Sequence, residues 1–389
     1  MSVAVINVGE SHAGDLPGSR IPGDALICDG GTIAWIGATS DVRAGDHEAV
    51  IDADGAMLVP GFIDSHFHST FGDYTPRQQT VGYFESYLHG GMTRAISASE
   101  VHVPGRPTDV VGVKALAIAA ERCFRTYRPS GVTVHAGAVI LEPGLTAADF
   151  VELREAGVWL AKAGFGAFPT PMDYVPVAQA ARDAGIVVMC HTGGGSIAGS
   201  QSKIDADVLL AMRPNVAGHV NGGPTALTSD ENQRIVAQGH DIALQLVQAG
   251  NLRSAIEICH AAIEHDALPR LMIASDTPTG TGMIPLAILR SMAELASLGP
   301  LSGRQTIAAA TGTVGTVYGL DAGILSVGRP ADMIVIDAPL GSAVDDAVAA
   351  LEIGDLPAVG VVITEGVVRL TKSRNTPPPK RRVRARERG

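Results

Sequence analysis

His66 and His68 stand two residues apart at the end of the run Val59-Pro60-Gly61-Phe62-Ile63-Asp64-Ser65. Side chains alternate across a strand, so both imidazoles project to one side at its C-terminal end. Two convergent neutral imidazoles form half a site for zinc or a similar divalent cation. The competing reading is one hydrogen-bonded core histidine beside one surface histidine. The His-X-His spacing and the apolar run-in favour the metal half-site. Three later runs bring matching donors: residues 186–191 end in His191, 215–219 in His219 and 271–276 in Asp276. Each is followed by Gly, Pro, Thr or Asn, which read as loop. His219 taken alone is as readily a structural, hydrogen-bonded histidine. Together the set is what an active site at the C-terminal strand ends of a (β/α)8 barrel requires.

The elements that must position these residues alternate in type. Strand candidates at residues 93–97, 132–137, 158–163 and 242–246 are interleaved with amphipathic helices at 113–123, 147–156, 176–184 and 285–296. Residues 3–58 read instead as short β segments. Among them Ala25 to Gly37 is a strand, a Gly-Gly turn and a second strand. Similar material returns at 323–325, 331–337 and 361–368. The expected fold class is therefore α/β. A TIM-like (β/α)8 barrel at 59–322 carries a small β-sandwich built from both termini, 1–58 and 323–389.

Composition narrows the classes. The chain has 389 residues, is 46% hydrophobic and 18% charged, and so can bury an extensive core. No run reaches the length of a membrane span, and the N-terminus lacks a signal-peptide pattern. Cys28, Cys123, Cys190 and Cys259 have no CxxC spacing and read as reduced thiols of a cytoplasmic protein. Alternation turns Cys190 away from the side on which His191 lies. The net charge is −11, although the last ten residues hold six basic side chains and one acid. An acidic body of this kind argues against a nucleic-acid surface. The basic tail is expected to be a solvated terminus. The partners expected are a small-molecule substrate and further copies of the chain, a homo-oligomer with a tetramer among the candidates, and no membrane.

The opening Pro60-Gly61-Phe62-Ile63-Asp64-Ser65-His66-Phe67-His68, the later single histidines, the late Asp276 and the closing Gly323-Ile324-Leu325-Ser326-Val327-Gly328-Arg329-Pro330-Ala331-Asp332 resemble the amidohydrolase superfamily over essentially the whole chain. Within it, Gly72-Asp73-Tyr74-Thr75-Pro76-Arg77-Gln78, Pro104-Gly105-Arg106-Pro107, His191-Thr192-Gly193-Gly194 and Asn221-Gly222-Gly223-Pro224-Thr225-Ala226 look like the enamidase branch, which opens cyclic enamides of nicotinate breakdown. That likeness implies a hydrolase that breaks a cyclic amide or enamide C–N bond with one or two divalent metals, zinc and/or iron. It implies His66 and His68 on one metal, His191 and His219 on the other, and Asp276 as both ligand and general base. The enamidase pattern places a glutamate between the metals. Here the matching segment is Leu160-Ala161-Lys162-Ala163-Gly164, with no acid. Other branches carboxylate a lysine at this place, so Lys162 is the candidate bridge; the alternative is an unmodified amine beside a single metal.

Substrate contacts are expected from Tyr74, Arg77, His102 and Arg106, in loops after the first two strands, and from Asn221. An arginine there suits a substrate carboxylate such as that of 6-oxo-1,4,5,6-tetrahydronicotinate, or forms a salt bridge instead. His135 reads as structural. Two rival functions stay open. One is another amidohydrolase reaction: lactam or imide hydrolysis, deamination or dipeptide cleavage. The other is a non-enzymatic scaffold, which needs no water-activating base.

Overall fold

The computed structural model describes residues 2–68, 77–100, 105–195, 200, 202–222, 226–278 and 282–387. Its centre is a set of parallel strands: β1 (Phe62–Phe67), β2 (Met92–Ser97), β3 (Thr133–His135), β4 (Ala138–Ile140), β5 (Leu160–Ala163), β6 (Val187–His191), β7 (Val216–Gly218), β8 (Ala243–Val247) and β9 (Leu271–Ala274). They form a three-stranded sheet, β1-β2-β3, and a six-stranded sheet, β4 to β9 in sequence order. Helices such as Val110–Phe124, Tyr174–Asp183 and Leu252–Glu264 follow the strands. Their starts are set locally. Asp109 accepts from Gly112 N, Thr228 and Glu231 form a capping box, and Asn251 accepts from Ser254 N.

The strands are mostly apolar because both faces are buried. Ile63, Ile96, Leu160, Met189, Val216, Ala243 and Met272 share one interior cluster with Tyr318. Ala161, Val188, Cys190, Leu244 and Ile273 lie in a second cluster with the helices. Alternation then carries Lys162, His191 and Gln245 to the interior face. In β1 the register against β2 shifts between Asp64 and Phe67. As a result Ile63 lies in the inner cluster while Phe67, of the same parity, packs in the outer one.

A single strand was expected over 132–137, and the structure breaks it instead. Gly137 takes φ +96° between β3 and β4. The Glu100 carboxylate accepts from Gly137 N (2.5 Å) and Ala138 N (2.7 Å), tying the two sheets together. A Cβ at Gly137 would sit 2.9 Å from Ala117 O. At the opposite edges Phe67 bridges Thr277 in parallel. Asp276 N donates to His66 O and His68 N to Thr277 O, both at 2.9 Å. Asp64 Oδ1 accepts from His66 N (3.2 Å) and Ser275 N (3.0 Å). The C-terminal ends of β1 and β9 are thus held side by side.

Both ends of the chain build two further five-stranded sheets. One runs Arg384–Glu387, Ala49–Asp52, Ser2–Ile6, Ala25–Asp29, Thr32–Gly37; the other runs Val367–Leu370, Ala358–Thr364, Met333–Asp337, Met57–Pro60, Glu10–Ser11. Val3, Leu26, Leu58, Val335 and Val361 share the core between them. The basic tail, expected as a solvated terminus, keeps Arg382, Arg384 and Arg386 exposed but forms a paired strand. Residues 384–387 pair antiparallel with 49–52. Lys380 Nζ reaches Asp345 at 2.7 Å, and Arg381 pairs with Asp337. Acidic residues of the same chain account for part of its charge. Among the described residues no helix is long and apolar enough to cross a membrane.

Candidate metal centre

Donors from several strand ends meet at the C-terminal side of the parallel strands. The ligand atoms of His66, His68 and Asp276 all lie within 4.8 Å of one another. Asp276 Oδ1 is 3.4 Å from His66 Nε2 and 3.3 Å from His68 Nε2. The His219 ring centroid is 5.3 Å from that of His66 and 4.4 Å from that of His191. Lys162 Nζ lies 3.2 Å from His66 Nε2 and 3.5 Å from Met189 Sδ. All the residues expected to hold metal are therefore gathered in one place.

Two of them reach it through unusual backbone. β7 ends at Gly218, and His219 has φ +40°; β9 ends at Ala274, and Asp276 has φ +57°. Non-glycine residues rarely adopt this left-handed region, and such strain collects at functional sites. By parity with Val216 and Gly218, an extended His219 would point away from the interior; the turn of its backbone brings the ring back. His191 is framed by small neighbours. A Cβ on Gly164 would stand 2.5 Å from His191 Cβ, and one on Gly194 would stand 2.7 Å from Nε2. The Phe165 ring meets His191 edge-on at 4.8 Å.

Electrostatics prepare the cluster for a cation. Burial, then the nearby Lys162, pushes His66 well below 6.5. Burial also lowers His68, against the opposing pull of Asp276, and takes His219 to about 4. Burial on its own would raise Asp276, but the facing imidazoles of His66, His68 and His219 hold its carboxyl well below the usual range. At neutral pH the set is a carboxylate among neutral imidazoles, the donor chemistry a zinc-like divalent cation takes. Burial lowers Lys162 to about 8, so part of its amine is neutral near physiological pH.

The substrate contacts fare unevenly. Tyr74 and His102 lie outside the described residues, as does Gly223, and of Arg77 only the backbone is described, opening the helix Arg77–Leu88. Arg106 is committed within the protein. Its guanidinium pairs with buried Glu142 at 2.5 Å and donates to Phe165 O (2.5 Å) and Pro107 O (2.8 Å). The expected arginine–carboxylate contact is thus made to Glu142, and it steadies the loop that places Phe165 against His191. Asn221 is corrected to a staple. Its Nδ2 donates to Val247 O (3.0 Å) and Asn251 O (3.4 Å), and its Oδ1 accepts from Val247 N (2.9 Å). Both hydrogens of its side-chain amide are thereby engaged. His135 packs edge-on to Trp159, and burial lowers it to about 3, in keeping with a structural role.

Gln245 escaped the sequence reading. Its Oε1 lies 2.6 Å from His66 Nδ1. A polar residue two positions after Ala243 in an apolar strand was the available signal. Glu100, which fastens β3 to β4, carried no signal of that kind.

A family model described as "amidohydrolase family" matches residues 57–371. The chain is 43% identical to the enamidase of Eubacterium barkeri over 98% of its own length and 99% of the relative's. An imidazolonepropionase of Pseudomonas aeruginosa is 28% identical over 84% of this chain and 91% of that one. The crystal structure of enamidase superposes with a TM-score of 0.92 at 42% identity, covering 99% of this chain and 100% of the other.

Proposed function

The chain belongs to the amidohydrolase family, and from that premise we propose that it is a metal-dependent hydrolase opening the C–N bond of a cyclic enamide or amide. The substrate class is a partly reduced oxopyridine carboxylate resembling 6-oxo-1,4,5,6-tetrahydronicotinate. The convergence of His66, His68 and Asp276 carries the reaction type. The full-length likeness to an enamidase narrows the ring.

His66 and His68 would hold one metal, His191 and His219 a second, with zinc and/or iron the metals this His and carboxylate set suits. A bound divalent metal supplies a water that is nucleophilic at neutral pH and a Lewis acid for the scissile carbonyl. Asp276 is held ionised among neutral imidazoles. It takes the proton of the attacking water through a carboxylate oxygen and returns it to the departing ring nitrogen. Lys162, once carboxylated, would supply the further carboxylate that helps hold the metals. Its neutral amine adds to carbon dioxide, forming an N–C bond and losing a proton to leave a carbamate. Its burial, its inward position and the absence of an acid on β5 support this. Native mass spectra should show the added group on a peptide containing Lys162, lost on acidification. A two-metal protein with unmodified Lys162 would refute this role.

The same reading joins β3 and β4 into one interrupted strand and β1 to β9 into a closed (β/α)8 barrel at 59–322, with 1–58 and 323–389 as the sandwich. The Glu100 tie and the Phe67–Thr277 bridge support it. Four free cysteines accord with a cytoplasmic setting. The deciding assay offers the purified, metal-replete protein a cyclic enamide acid, saturated lactams, an aminopurine and a dipeptide. Turnover should be greatest on the enamide acid. Preference for the purine or the dipeptide would overturn the assignment.

A further inference from the structure

The buried carboxamide of Gln245 joins three groups behind the metal cluster. Its Nε2 donates to Ser65 O at 3.0 Å and to Ser65 Oγ at 2.8 Å, and its Oε1 lies 2.6 Å from His66 Nδ1. A side-chain amide can be drawn either way round, but the Ser65 carbonyl can only accept, so the amide nitrogen must face it. Oε1 is then the atom on His66, and an oxygen with no hydrogen needs a donor. Nδ1 of His66 therefore carries a proton. A neutral imidazole protonated there keeps its single lone pair on Nε2, the atom that faces Asp276 Oδ1 at 3.4 Å and Lys162 Nζ at 3.2 Å.

We infer that Gln245 is a positioning residue that fixes His66 in the Nδ1–H tautomer and so presents Nε2 to the metal. The inference rests on the metal-centre reading above and adds a residue to it. The constraint is well anchored. Ser65 is the immediate neighbour of His66 on β1, so the same strand that carries the ligand also sets the orientation of the amide. Gln245 sits at the interior parity of β8, two residues after Ala243 of the inner cluster, and is fully buried. Little freedom remains for the imidazole to rotate. Hydrogen bonds of this kind to the far nitrogen of a histidine ligand raise its basicity and restrict its orientation.

The test compares wild type, Gln245→Met and Gln245→Glu by zinc competition with a chelator and by nitrogen-15 spectra of histidine-labelled, metal-free protein. Methionine fills the volume without an acceptor for His66. It should weaken zinc binding about 10–100-fold and populate the Nε2–H tautomer of His66. A neutral glutamic acid donates to Ser65 O and accepts from His66, so Gln245→Glu should bind zinc within about threefold of wild type. A general loss of packing would not move the tautomer, nor would it be rescued by glutamate. Wild-type zinc affinity in Gln245→Met, affinity in Gln245→Glu as weak as in Gln245→Met, or an Nε2–H signal for His66 in the wild type would each overturn the inference. If Gln245→Met does not fold, the wild-type spectrum and Gln245→Glu still decide. If the wild type binds no zinc or other divalent metal, the metal reading fails, while the tautomer measurement still reports on Gln245.

Discussion

Two buried histidines, His12 and His66, show what separates a structural imidazole from a candidate ligand. His12, just after the strand Glu10–Ser11, is fully buried. Its Nδ1 accepts from Gly14 N at 2.9 Å, and its Nε2–H donates to Arg304 O at 3.0 Å. His66 is equally buried; its Nδ1 meets Gln245, while its Nε2 faces the side chains of Asp276 and Lys162 rather than backbone. Burial depresses both, His12 to about 4 with help from Arg304 and His66 well below 6.5 with help from Lys162. A low pKa therefore does not mark the functional histidine. The destination of its second nitrogen does: backbone at His12, a cluster of metal-type donors at His66.

The sharpest way to break this comparison is to remove the ligands. Combining His66→Ala with His191→Ala should strip the metal and take hydrolysis to background, whereas replacing His12 should leave metal content unchanged. Elemental analysis on the same samples decides it; full metal content in the double variant would sink the assignment. A smaller effect is expected at Asp276. Asp276→Asn keeps the shape and loses the proton acceptor, so kcat should fall about 10²–10⁴-fold with a much smaller fall in metal content. Near-normal turnover would mean that the base is elsewhere.

The smallest effect concerns stability and acid at His12. Its folded pKa of about 4 lies below the ordinary 6.5, so the unfolded chain binds the extra proton first as pH falls. The stabilising contribution is complete above pH 6.5 and is lost as pH drops through about 4. It amounts to about 3 kcal/mol at most, from the size of the shift. Protonating Nδ1 would displace the Gly14 N–H, which is the physical cost. His12→Gln should start less stable but show a shallower acid limb in denaturant titrations between pH 7 and 4. An unchanged limb would show that His12 does not carry the acid sensitivity.

The convergent donor set was legible because it obeys local rules. His66 and His68 follow from alternation at the end of an apolar run, and His191 and Lys162 from the parity of their strands. Even so, the register shift in β1 was invisible in the pattern, and without it Ile63 and Phe67 would share a face. Asn221 misled because a polar residue after a strand-end histidine resembles a substrate contact. Nothing local says that Val247 and Asn251 consume its amide. Arg106 was recognised as a partner for a carboxylate, but the carboxylate is Glu142, thirty-six positions along the chain. The basic tail pairs with a strand more than three hundred residues earlier, a contact its charge pattern did not express.

Taken alone, the sequence determined which residue types stand at strand ends, the alternation of strands with helices and the membership of both termini in β structure. These properties are written in neighbours one to seven positions apart, where backbone geometry links pattern to conformation. Only the tertiary structure decided how those ends converge. The left-handed turns at His219 and Asp276, the Glu100 tie across the broken strand and the amide of Gln245 behind His66 depend on partners brought together from distant segments. Buried hydrogen-bonding groups must find partners wherever packing supplies them, and that requirement is settled in space rather than along the chain.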